Sequence, residues 1–533
     1  MSAEIQPSTR LPQLARFLDA AAGIVGSQNV LLSQQDRKLF STDFSEIELA
    51  VAAAVVRPGS IDQVVAIAQA AKEFGVVLCP RGGGMSYSLT YVPSRPDAVI
   101  IDMTAMNRIL DIDIQDLRIT VEAGVTWKQI HEALRPTGYR IPFLGTFSGE
   151  RATVGGGLGN NATGHGALDI SDFLLGMEVV LPDGRVLQTG ARAHDAAAPI
   201  VRGYGPDFTG AFTHDAGALG IKTKASFRLV RRPAATAYRA YGFRDEKQLI
   251  DAMCAAQRLG IATEIMSFGT YHHRVFATQP KPPAQEAKAL ARLIVKEAGT
   301  TWRGVRRLAM LSRGMNFLLD WPYSLTVMVD NVSQRGAEDG ARQIDGVIVP
   351  LGGRKIRPVL GIALRAQPFV PIGALMVGTD GASSFPSNFT VPLSKAHELV
   401  AQARSFFADN EQDMRRHGVY TAFLLLSFKG AFGMEPIIYW PDRLNELRYE
   451  TALPGMREAL GKLEGHPDAR AFAVDLRRRL VARLQAFRPA HYQTGKFYPY
   501  REALAGHAGW DVISSFKRQL DPDGRFNPGA LGL

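Results

Sequence analysis

Apolar positions recur with two periods along this chain, and the periods place its elements. Val64, Ile67, Ala68 and Ala71 follow helical spacing. Ser60-Ile61-Asp62-Gln63 before them reads as a capping box, and Gly75 after them stops the helix. Residues 76–79, 99–103 and 119–124 are short apolar strand candidates, so the N-terminal third reads as α/β. Residues 177–190 read as strand, Pro-Asp-Gly turn and strand. Strict alternation follows, with Ala225, Phe227 and Leu229 on one face and Lys224, Ser226 and Arg228 on the other. Arg231-Arg232-Pro233 punctuates the chain, and beyond it the helices lengthen. Strands are expected at 324–330 and 421–428, and one helix over 395–416. The first forty or so residues read as helical and peripheral, with ordered structure from about Val55, and the tail reads as loop-rich.

Two glycine clusters interrupt this pattern. Residues 80–88 read PRGGGMSYS directly after a strand. Three glycines without Cβ atoms let backbone N–H groups turn inward around a diphosphate. Pro80, Gly82, Gly83, Gly84 and Met85 shape that loop; Arg81 is expected to orient it, and Ser86 and Ser88 to add hydroxyl donors. A lone glycine triplet is only a tight turn. A second cluster, Thr153, Gly155, Gly156 and Gly157, follows about seventy residues on, with Asn161 and Gly164 after it. The pair suits a cofactor held between two backbone cradles. Residues 157–162 also match GxGxxA, but a dinucleotide fingerprint must follow a strand and open a helix, and residues 145–153 read as loop. A Rossmann site is rejected.

Composition narrows the classes. The 533 residues, 46% apolar and 21% charged, are those of a globular chain of roughly two to four domains. No apolar run is long enough to cross a membrane, and no secretory signal is visible, so a cytoplasmic protein is expected. Two cysteines, Cys79 and Cys254, rule out a disulfide framework, and the scattered histidines give no metal site. The net charge is +10, and residues 281–313 hold eight Lys or Arg against two Glu. That segment reads as a solvated helical face, or as a peripheral contact with a membrane or a protein. No nucleic-acid motif accompanies it.

Six segments stand in a telling order: PRGGGxS after a strand, VEAG, TVGG…N, the EVVLPDGxxLxTG hairpin, GALGIKTKASFRL and the C-terminal LDPDGRFNPG. Together they resemble the vanillyl-alcohol oxidase / p-cresol methylhydroxylase (PCMH-type) flavoprotein superfamily, over roughly residues 51–233 and the last forty. The RGGGxS loop is similar to the D-lactate dehydrogenase and glycolate oxidase branch, and the hairpin to the phenolic-alcohol oxidases. The resemblance implies an α+β fold: a helical segment over 1–50, a two-subdomain FAD-binding domain over 51–235, an inserted α+β cap for substrate over 236–488, and a C-terminal return over 489–533.

It also implies a function. FAD takes hydride at flavin N5 from an alcohol or 2-hydroxy acid, or from a para-substituted phenol; a non-catalytic flavin-binding subunit is the rival of another class. A quinone, a cytochrome or oxygen would reoxidise the flavin, and a homodimer is open. Gly217, Leu219, Gly220 and Ile221 would contact the flavin through backbone, with Asn527 in the C-terminal motif. Many relatives attach FAD to a His after the glycine triplet. Here Met85 stands there, so FAD is expected to be non-covalent at that position. The family's acidic residue near Gly217 is shifted or lost, and no metal-binding cap motif is found. His491 and Tyr492 are the expected bases, Lys496 the expected anion partner, and Tyr439 a pocket aromatic. Glu435 is read as core packing, and His272 and His273 as a surface pair.

Overall fold

The computed structural model describes residues 7–166, 170–194, 197–278, 288, 291, 292, 294, 295, 301–369, 381–452 and 457–533. Most of the basic stretch between 281 and 300 lies outside them. Among the described residues no helix is long and apolar enough to cross a membrane.

Two sheets build the glycine-loop half. In the first, Leu78–Arg81 and Ala54–Val56 run parallel to Val99–Asp102 on either side of it. The helix Ile61–Phe74 covers this sheet with Val64, Ile67, Ala68 and Ala71, the face that the spacing picks out. Ser60 accepts from the Gln63 N–H as expected, but the Gln63 side chain accepts from Gly59 N–H, one residue upstream of a true box. A complete capping box forms instead at Thr126 and Gln129. The second sheet is antiparallel and runs Val186–Gln188, Leu174–Val180, Ile221–Arg228, Arg118–Glu122, Ile109–Asp113. Ala225 and Phe227 point into its core with Trp127 and Phe143.

Ala235–Phe243 opens a third, eight-stranded sheet, in which Tyr323–Asn331, Glu264–Gly269, Tyr420–Phe428 and Ala431–Trp440 are successive antiparallel neighbours. Both faces are buried. Ile265, Val327, Leu425, Met434 and Ile438 meet the helices Glu246–Arg258, Gln334–Ile348, Ala396–Asp409 and Pro467–Leu484. The opposite face faces the glycine-loop half. The single helix expected over 395–416 is two, Ala396–Asp409 and Glu411–Arg416, divided at Asn410. Asn410 folds its side chain back on Phe406 O at 2.7 Å, a local bond that competes with helix propagation.

The N-terminal segment is not peripheral. Phe17 and Ala21 on the helix Pro7–Val25 are fully buried against Ile61–Phe74. Residues 41–46 are buried at the seam with the third sheet. There Glu46 pairs with Arg448 at 2.6 Å, with both side chains almost wholly buried. The tail is also more ordered than its composition suggests. It forms the helix Ala508–Leu520 and then runs beside the glycine-loop strand, with Leu78 N–H on Arg525 O and Asn527 N–H on Leu78 O.

Candidate functional site

Residues 82–88 leave the strand Leu78–Arg81 as an irregular loop. Among the described residues, the backbone N–H groups of Gly82, Gly83, Gly84, Met85, Ser86 and Tyr87 have no acceptor. Buried N–H groups are nearly always paired, and Gly82, Gly83, Gly84 and Ser86 are buried, so the run marks a place for an external acceptor. The glycines are also required by space. A Cβ on Gly82 would stand 2.0 Å from Thr153 Oγ1, and one on Gly83 1.9 Å from Arg151 O. Arg81 lies over Phe40 and donates to Gly82 O at 3.2 Å. Burial lowers its pKa to about 10. Ser86 reaches the cleft in front of the loop. Ser88 does not; with Thr90 it donates to Asn160 Oδ1, at 3.1 and 2.5 Å.

The second glycine cluster differs from the expected cradle. Residues 154–160 form a short helix capped by Thr153. Its early N–H groups are already used: Val154 on Val125 O, Gly155 on Ala123 O, Gly156 on Thr153 Oγ1 and Gly157 on Thr153 O. Its glycines supply room instead. A Cβ on Gly155 would meet Ala123 Cβ at 2.8 Å. The GxGxxA match begins inside this helix and runs past its C-terminal cap, Asn161, in left-handed conformation with φ 51°. Asn160, rather than Asn161, lines the cleft.

The cleft runs from the glycine loop to the third sheet. Its near wall is Gly82, Gly83, Gly84, Met85, Ser86, Tyr87, Thr153, Gly156, Gly157, Asn160 and Gly164. Its far wall is one face of three strands, given by Met266, Phe268, Leu424, Leu426, Glu435 and Ile437. These are alternate residues, and register aligns Phe268, Leu424 and Glu435 in one row across the sheet. Period two therefore sends Leu425, Met434 and Ile438 to the core behind and this row to the cleft. Glu435 is the polar exception. Tyr87 donates to its Oε1 at 3.2 Å, and Tyr492 donates to the same oxygen. Burial raises the Glu435 pKa, and the two tyrosine hydroxyls oppose that rise. His272 also lines the far wall, and neither of its ring nitrogens has a hydrogen-bond partner among the described residues. Burial, with His273 beside it, lowers its pKa to about 3, so the ring is neutral.

The structure rearranges the expected catalytic set. His491 does not line the cleft. Its Nδ1 donates to Asn388 O at 2.7 Å, its Nε2 lies 2.9 Å from the Gln485 amide, and burial lowers its pKa to about 4. Lys496 is spent on Val92 O at 2.6 Å, away from the cleft. Tyr439 lies beyond Ile437 on the same strand face, stacked on Tyr420 at 5.0 Å. Tyr492 stands behind Glu435. The residues taken for core and surface, Glu435 and His272, are those in the cleft; His273 is also buried, bound to Ser324 Oγ at 2.7 Å. Glu435 and Ile437 share the cleft-facing period with Tyr439, the one signal in sequence that could have found them.

The remaining flavin candidates sit around a smaller cleft on the other side of the Gly82–Thr153 contact. Pro80, Gly155, Gly217, Gly220 and Ile221 line it, while Leu219 is core. The shifted acid is Asp215. It accepts from Gly217 N–H at 3.0 Å and pairs with Lys222 at 2.5 Å, which fixes the turn. Asn527 lies outside both clefts and clamps Thr90 O and Ala216 O at 2.8 and 2.6 Å. Among the described residues no three His, Cys, Asp or Glu side chains cluster as a metal site.

A dinucleotide diphosphate fits the loop end, with six free donors, no carboxylate on the near wall and glycines that leave the backbone bare. Residues 52–190 match the family described as FAD binding domain. A 1'-carboxy-chondrochloren decarboxylase of Chondromyces crocatus is 30% identical over 241 residues, 44% of this chain and 44% of that protein. The glycolate oxidase subunit GlcD of Bacillus subtilis is 30% identical over 213 residues, 39% of this chain and 44% of that protein. The chain thus spans less than half the length of these curated relatives. A 4-ethylphenol oxidase from Gulosibacter chungangensis aligns with TM-score 0.73 at 19% identity, covering 99% of this chain and 98% of that one. A p-cresol methylhydroxylase aligns with TM-score 0.72 at 17% identity, covering 99% and 98%. The chain carries an FAD-binding domain. Its fold is that of 4-ethylphenol oxidase and p-cresol methylhydroxylase.

Proposed function

We propose that this protein is an FAD-dependent oxidoreductase that removes hydride from a hydroxyl-bearing carbon. The observation that carries this reading is the continuity of one cleft from six unpaired N–H groups to an apolar cap wall with a single carboxyl. Residues 82–87 would hold the diphosphate, with Ser86 adding a hydroxyl. The small residues of 153–157 would let the cofactor lie against backbone. Met85 packs with Phe44, Leu447 and Tyr87, and a thioether forms no histidyl linkage, so FAD is held there without a covalent bond. When bound, the flavin supplies the two-electron acceptor. The cap wall excludes water from the reacting carbon.

The test is reconstitution with FAD followed by anaerobic mixing with an alcohol panel. Stoichiometric flavin that bleaches with one class of alcohol supports the reading. Flavin that binds but is bleached by none would leave a flavin-binding subunit as the better account.

A further inference from the structure

This inference rests on the oxidoreductase reading and names its substrate class. We propose that the cap cavity takes a neutral, apolar alcohol whose hydroxyl is seated on the Glu435 carboxylate, and that it rejects substrates bearing a carboxylate of their own.

The wall chemistry sets the class. Met266, Phe268, Leu424, Leu426 and Ile437 offer only apolar surface. No Lys or Arg lines the cleft among the described residues. The nearby guanidinium groups are committed elsewhere. Arg151 donates to Gly83 O at 3.1 Å, Arg477 to Tyr87 O and Pro386 O at 2.8 Å, and Arg365 pairs with Glu264 at 2.9 Å. A 2-hydroxy acid would bring its carboxylate into a low-dielectric space already holding Glu435, with no cation among the described residues lining it. A neutral carbinol suits the same space, because its O–H donates to a carboxylate and its body meets the apolar row.

The step then balances. The substrate O–H proton would pass to Glu435 and the C–O bond would become C=O, with bound FAD supplying the acceptor for the C–H hydride and its two electrons. Tyr492 is a positioning residue. It holds the shared oxygen of Glu435 from behind, while Tyr87 holds it from the loop side. The titratable groups around Glu435 are Tyr87 on the loop, Tyr492 and Tyr498 on the C-terminal segment and His272 on the helix Thr270–Thr278, with Arg477 beside Tyr87.

The test uses the full FAD-loaded chain and two matched pairs: 1-phenylethanol with mandelate, and 1-decanol with 2-hydroxydecanoate. Spectral titration of the flavin reads binding, and anaerobic stopped flow reads reduction. In at least one pair the neutral alcohol should bind at tenfold lower concentration or better than its acid and reduce the flavin. Glu435→Gln should keep full flavin content yet slow reduction by roughly 100-fold or more. Tyr492→Phe should keep flavin and move the rising limb of the pH–rate profile to higher pH, because a hydrogen bond that favours the carboxylate is lost. Acids that bind as well as the alcohols, no binding by any of the four, or a Glu435→Gln variant that reduces at the wild-type rate would each overturn the proposal. None of these results touches FAD binding, which flavin content reports separately.

Discussion

Tyr87 donates its hydroxyl to Glu435 Oε1 at 3.2 Å, so a residue of the glycine loop is bonded directly to the third sheet. The glycine loop and the row Phe268, Leu424 and Glu435 are thereby held in one register. Tyr87→Phe should weaken both sides at once, with flavin released more easily and substrate reduction slower. Fluorescence of released flavin on dilution, compared with the reduction rate of the same preparation, measures the two effects together.

The close approach of Gly83 to Arg151 O leaves no room for a methyl group. Gly83→Ala should destabilise the fold by about 1–3 kcal/mol and strip most of the flavin. A melting curve with and without added FAD reads both. A variant that melts and binds like wild type would refute the cradle.

Glu46 and Arg448 form a buried pair that ties the N-terminal segment to the cap. Arg448→Ala leaves a buried carboxylate and removes bonds to Phe44 O and Ser384 O. It should cost about 3–5 kcal/mol in urea unfolding. Glu46→Gln keeps a hydrogen-bonding group beside Arg448 and should cost less.

Three histidines, His272 buried and His131 and His491 partly buried, make stability depend on pH. Burial lowers the pKa values of His131 and His272 to about 3 and of His491 to about 4, from 6.5. In each, the unfolded chain binds the proton first, so stability is complete above 6.5 and falls as pH drops towards the folded value. Each contributes a slope of about 1.4 kcal/mol per pH unit within that window. His272→Phe should flatten the fall in melting temperature between pH 6 and pH 4. Glu264 acts lower down. Burial pushes its carboxyl up, but Arg365 and His165 outweigh that and bring it to about 2. Its stabilisation is present above the ordinary carboxylate range and is lost as pH falls from about 4.5 towards 2. The gap between wild type and Glu264→Gln should therefore narrow across that range.

The glycine loop was legible because strand, triplet and polar residues are contiguous, and backbone chemistry depends on local sequence. The cap strands 324–330 and 421–428 were legible from their apolar runs. What sequence did not reveal was assembled across distance. Glu435 meets Tyr87 and Tyr492 only because three segments converge, and along the chain it is one carboxylate in an apolar strand. His491 looked catalytic by its place before the C-terminal motif, yet Asn388 and Gln485 occupy its nitrogens. Thr153 to Gly157 looked like a second cradle because a glycine-rich helix and a glycine-rich loop have the same composition; only the pairing of their N–H groups tells them apart.

The central claim is most directly tested by the visible spectrum of the purified chain before and after acid precipitation. The account predicts one FAD per chain. A chain that is colourless and gains no flavin on reconstitution would contradict it.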